Sequence, residues 1–238
     1  MLKIFKITPH LKRRDLWLTV IPALVWLTAF NARHLTLNTF CADTPHVCIS
    51  SNLSWPDSEV VTYWSPLADW YSNWTQYSAG ILAASAPAIW AGAQVAMHVI
   101  NPGAAIAMWT TDALLIIQAT FWNGAINEVI KIGVNRPRPF VYRNPASEGK
   151  VHHSYSSFYS GHTSFAAVAT IGLIASLFAR NAPIWMTLLF GFSGLTLTIV
   201  TGALRVAAGV HFYSDVVFGL FAGILISYLV QKRHRIIT

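Results

Sequence analysis

From residue 70 to residue 111 the chain carries no Asp, Glu, Lys or Arg, and neither do 163–179 and 181–204. A helix crosses the hydrocarbon layer of a membrane with about 20 apolar residues, so each run is long enough to span. Only 11% of the chain is charged, against about 25% in a soluble domain. Buried helices of a soluble protein fit so many uncharged runs poorly. The pattern predicts an all-α, polytopic membrane protein with six transmembrane helices, near 15–33, 77–99, 104–128, 162–180, 183–204 and 213–231. Asn101-Pro102-Gly103 separates the second from the third, and Arg180-Asn181-Ala182-Pro183 the fourth from the fifth. With no repeat or low-complexity tract, 1–238 reads as a single domain.

The net charge of +7 is unevenly spread. Lys3, Lys6, Lys12, Arg13 and Arg14 precede the first span, and Lys232, Arg233 and Arg235 follow the last. Short basic flanks stay cytoplasmic, which places both termini inside. These tails call for anionic lipid headgroups as partners, not nucleic acid. The first span has the basic leader of a signal peptide, but Trp17, Trp26 and Phe30 stand where cleavage needs small residues, so it is expected to remain as a helix.

An inside N-terminus puts 34–76, 129–161 and 205–212 outside. The second of these regions contains Lys131, Arg136, Arg138, Arg143 and Lys150, a cluster that orientation rules disfavour on that face. Either it is a solvated loop touching headgroups, or it meets an anionic ligand. Three short patterns favour the ligand. Lys131 and Arg138-Pro139 form K-x6-R-P; Ser160-Gly161-His162 follows; then Arg205, His211 and Asp215 form R-x5-H-x3-D. All lie at outer ends of predicted spans, where helix packing can bring them into one pocket.

Together these motifs resemble the signature of the type 2 phosphatidic acid phosphatase superfamily, which includes membrane lipid phosphatases and, more distantly, soluble vanadium haloperoxidases and acid phosphatases. The resemblance covers about residues 104–231. It implies that His211 attacks phosphorus to form a phosphohistidine, that Asp215 orients it, and that His162 protonates the departing oxygen and later activates water. The chemistry fits these residue types. Arg138 and Arg205 each offer a planar fork to two phosphate oxygens, and Lys131 a point charge. Charges at a membrane edge without acidic partners tend to be functional. Ser160 and Gly161 precede a helix whose free N–H groups favour an anion, and glycine permits close approach; Ser160 or Thr163 can equally serve as a plain cap. His211 and Asp215 lie one helical turn apart, so the carboxylate can fix the ring tautomer. The two histidines need opposite starting states, His211 neutral and His162 protonated.

No cofactor or metal is required, because the cations do the work of magnesium; His152-His153 reads as a solvated pair in preference to a metal site. Two positions depart from the family pattern, Tyr159 where proline is usual and Leu204 where serine is usual. The resemblance implies hydrolysis of a lipid phosphate or diphosphate, such as phosphatidate, phosphatidylglycerol phosphate, undecaprenyl diphosphate or a lipid A phosphate, in a bacterial inner membrane with the site facing the periplasm. A phosphotransferase and a non-catalytic lipid-binding or transport protein are the rivals.

In the first outer loop, Cys41 and Cys48 are the only cysteines. A disulfide, free thiols and a metal site with His46 are the alternatives, the first favoured in an oxidising compartment. Trp55, Tyr63, Trp64, Trp70, Tyr71, Trp74 and Tyr77 read as a segment lying on the membrane, or as a wall admitting a lipid tail. Asn52 and Asn73 match the glycosylation sequon. Glu128, one turn before Lys131, is expected to pair with it; Asp112 is expected to be buried and to need a partner.

Overall fold

The computed structural model describes residues 13–36 and 38–234. Lys3, Lys6, Lys12 and Arg235, on which the reading of basic termini partly rests, lie outside the described residues. Six helices are long and apolar enough to cross a membrane. They are α1 (Arg13–Thr36), α2 (Pro66–Ala96), α3 (Pro102–Val134), α4 (Gly161–Ala179), α5 (Ile184–Ala207) and α6 (Tyr213–His234). No strand occurs among the described residues.

Two boundaries differ from those expected by more than three residues. α2 begins at Pro66 instead of near 77, so the aromatic stretch from Trp70 to Tyr77 is neither loop nor surface-lying segment but the first turns of a spanning helix. The start signal is local: the Ser65 side chain accepts the Ala68 N–H at 3.1 Å, and Pro66 sits at the first helical position. Trp70, Tyr71, Trp74 and Tyr77 remain exposed on its outer face, as interfacial aromatics do. α3 runs past 128 to Val134 because the charges there are paired within the fold: Glu128 bridges to Lys131 at 3.2 Å, as expected, and to Arg33 of α1 at 3.3 Å. The helix stops at Asn135, which takes a left-handed conformation and returns its N–H to Lys131 O.

α4 is the hub, packing against α2, α3, α5 and α6, while α1 lies along α3. Close approach to α6 depends on Gly223, where a Cβ would meet Ser164 O at 2.3 Å. Apolar helix faces gain no hydrophobic drive to associate in lipid, so buried hydrogen bonds help to fix the bundle. Asn123 donates to Ser164 Oγ at 3.0 Å and Ser227 to Val168 O at 3.0 Å. Asp112 has its partner in Arg180, with Nε and Nη2 each 3.2 Å from a carboxylate oxygen. The pair joins α3 to the end of α4 opposite the Ser-Gly-His triplet.

Between α1 and α2 the chain makes short helical turns. Cys41 and Cys48 form a disulfide, which removes the free-thiol and metal alternatives. Both cysteines are buried against Phe140, Val141 and Tyr155, and Tyr155 Oη accepts the Cys41 N–H at 3.0 Å. This loop is therefore docked on the segment between α3 and α4.

Candidate active site

The three motifs meet. Lys131 on α3, Arg138 just after it, Gly161 and His162 at the start of α4, Arg205 on the last turn of α5 and His211 in the α5–α6 turn all line one cavity of about 340 Å³. A second cavity of about 410 Å³ shares Arg138, His162 and Arg205 and is also lined by Trp64, Asp69, Asn73, Glu148 and His153. The first is also lined by the apolar side chains of Trp26 and Phe30 of α1, Tyr77 of α2 and Phe165 of α4.

Arg205 and His211 can face the same space because the chain turns sharply between them. Gly209 has φ +69°, and a Cβ there would meet Tyr63 O at 2.0 Å, so only glycine fits both the backbone and the gap. His211 is buried, with Nδ1 3.5 Å from Asp215 Oδ2. That is at the outer limit of a hydrogen bond, a spacing that apo sites often show before a ligand tightens them. Burial pushes the His211 pKa down to about 3, against the opposing pull of Asp215. The ring is neutral at physiological pH and keeps a lone pair.

Asp215 is fully enclosed, and three donors other than His211 hold its oxygens. Arg136 Nη1 and Ser157 Oγ each donate at 2.5 Å, and Phe212 N–H at 2.9 Å. Arg136 was unmarked in the sequence beyond its membership of the basic cluster. It also donates to Asp57 Oδ2 at 2.9 Å and to Ser214 Oγ at 2.7 Å, and its guanidinium lies 4.2 Å above the centroid of Phe212. It is thus a structural clamp between the first loop and the carboxylate behind His211. Arg143 stacks over Trp64 at 5.1 Å.

Three of the four cations that line the smaller cavity have acidic neighbours: Arg33 and Lys131 both pair with Glu128, the latter as expected, and Arg205 pairs with Asp69, which the sequence did not suggest. Asp69 was missed because its partner is far along the chain. It occupies the guanidinium that an incoming anion would want. Asp69→Asn should therefore strengthen binding of inorganic phosphate by about 2–5-fold, the worth of one ion pair whose carboxylate is open to solvent, as titration calorimetry would read. Weaker binding would instead mean that Asp69 holds Arg205 in place.

Ser160 is the N-cap residue of α4, and its hydroxyl lies 3.0 Å from Thr163 Oγ1. A Cβ on Gly161 would meet Asn127 Oδ1 at 3.2 Å and Lys131 Nζ at 3.5 Å, so the bare glycine keeps the lysine close to the helix start. His162 Nε2 lies 2.7 Å from Asn73 Oδ1. The sequon reading of Asn73 is thereby overturned, since its amide sits inside a helix and faces the cavity. Tyr159 points away from the cavities toward α3, its carbonyl accepting from Asn127 Nδ2 at 2.8 Å. Leu204 packs on the apolar cluster around the disulfide. His152 and His153 sit on a short helical turn, and no group of three His, Cys, Asp or Glu among the described residues could hold a metal ion.

The family model of the PAP2 superfamily matches residues 112–236. Phosphatidylglycerophosphatase B of Bacillus subtilis is 30% identical over 125 residues, covering 51% of this chain and 58% of that protein. Phospholipid phosphatase 1 of Rattus norvegicus is 37% identical over 87 residues, covering 35% of this chain and 31% of that protein. The aligned part is thus less than two thirds of either relative's length. No solved structure matches the chain.

Proposed function

The chain belongs to the PAP2 superfamily, and from that premise we propose that it is an integral-membrane phosphatase acting on a lipid phosphomonoester or diphosphate. The observation that carries this is the shared cavity that Lys131, Arg138 and Arg205 line together with His162 and His211. The two phosphatase-named relatives, one of them named for phosphatidylglycerophosphate, favour a glycerophospholipid phosphate.

The phosphate enters among the three cations, with Ser160 and Gly161 presenting the N-terminus of α4 to its oxygens. His211 Nε2 attacks phosphorus while Asp215 holds Nδ1–H. The P–N bond forms as the bond to the lipid oxygen breaks, and His162 gives that oxygen a proton. Water then attacks the phosphohistidine, passes a proton to His162 and breaks the P–N bond, releasing inorganic phosphate. The bound dianion supplies the counter-charge an imidazolium at His162 needs, and the guanidinium forks stabilise charge spreading over the equatorial oxygens without reorganising. On this reading the reaction needs no metal. The site faces the outer side of a bacterial inner membrane, with both termini inside, as the basic flanks suggest.

The test is phosphate release by purified protein from a panel of lipid phosphates, with and without chelator. Release that survives the chelator supports the reading. No release from any member, or release abolished by the chelator, overturns it. Label appearing on an acceptor lipid instead of free phosphate would identify a phosphotransferase.

A further inference from the structure

Resting on the phosphatase reading, we propose that Asn73 on α2 is a positioning residue for the acid–base histidine, fixing the His162 ring so that Nδ1 exchanges protons with the lipid oxygen. Asn73 Oδ1 lies 2.7 Å from His162 Nε2. An amide oxygen only accepts, so Nε2 carries hydrogen in this arrangement. It keeps that hydrogen in the neutral and in the charged ring, leaving Nδ1 as the nitrogen that cycles.

The contact belongs to a built face of α2. Asp69 bridges to Arg205, the Ser72 hydroxyl accepts from Arg205 Nη1 at 3.2 Å, and Asn73 holds His162. Positions 69, 72 and 73 share one side of a helix. One turn further on, Thr201 of α5 donates to Thr75 Oγ1 at 2.8 Å, which keeps α2 in register with the helix that carries Arg205. A partner mounted on a helix holds a catalytic ring more tightly than one on a loop. This face lies outside residues 112–236, so the stretch matched by the family model holds His162 without its Nε2 partner.

A ring that loses its acceptor can rotate or change tautomer, and the loss falls on proton delivery. An alkyl alcohol leaves poorly without a proton, whereas p-nitrophenolate leaves well without one. The experiment compares kcat/KM, which reports steps through departure of the leaving group, for a short-chain phosphatidate and for p-nitrophenyl phosphate. Asn73→Leu should lower the phosphatidate value by about 30-fold or more, within what general acid catalysis contributes, and the aryl value by less than about threefold. Retained aryl activity doubles as the check that the variant folds. Asn73→Asp, which keeps an acceptor in place, should recover most of the phosphatidate activity. Equal losses on the two substrates, or Asn73→Asp no better than Asn73→Leu, would overturn the proposal while leaving the phosphatase reading standing. Wild-type protein that hydrolyses neither substrate would remove the phosphatase reading and this proposal together.

Discussion

His211→Ala is expected to cut phosphate release by about 10⁴-fold or more, the scale seen when a nucleophile is removed from a site that otherwise stays intact. The fold should persist. Asp215 loses one neighbour at 3.5 Å but keeps Arg136, Ser157 and the Phe212 N–H, so no buried charge is stranded. The thermal midpoint in detergent should move little, and binding of inorganic phosphate to Lys131, Arg138 and Arg205 should survive. Wild-type protein quenched during turnover should carry an acid-labile, alkali-stable phosphoryl group that the variant lacks. Phosphate release at the normal rate by the variant would refute the nucleophile assignment.

Arg136→Leu is expected to destabilise the protein by about 3–5 kcal/mol, because it strips the cation from two buried carboxylates. Asp57 and Asp215 are both largely enclosed, and Arg136 reaches both. Activity should fall as well, since Asp215 would be free to turn away from His211. Thermal unfolding of the purified protein measures the first effect. Adding Asp57→Asn should return part of the stability, as expected for residues in one network. An unchanged midpoint in the single variant would show that the clamp is not structural.

The spans were legible because a membrane asks something simple of a sequence: uncharged runs of sufficient length, broken by turns such as Asn101-Pro102-Gly103. Lys131, Arg138, His162, Arg205 and His211 of the smaller cavity stood out for a related reason, as charges and histidines at span ends against an apolar background, whereas Arg33, Gln76 and Asn127 beside them did not. What stayed hidden depends on pairing across the chain. Its place inside an apolar span shows that Asp112 needs a partner but not that Arg180 supplies it from the end of α4. The residues Asp57, Asp69 and Asn73 lie in a stretch whose aromatics resemble an interfacial segment, which concealed the start of α2. The Ser65-Pro66 cap was the signal that could have revealed it. Arg136 was masked by its own neighbourhood, one cation among several until Asp57 and Asp215 are seen beside it.

An apolar approach to the smaller cavity is offered by Trp26, Phe30, Tyr77 and Phe165, which line it together with its cations. A headgroup arriving by that route leaves its acyl chains in the leaflet throughout, so the reaction is a two-dimensional encounter. Turnover should track how densely the phospholipid is populated within the vesicle or micelle surface. Diluting it with inert detergent at constant total amount should slow the enzyme, whereas diluting the whole suspension with buffer should not.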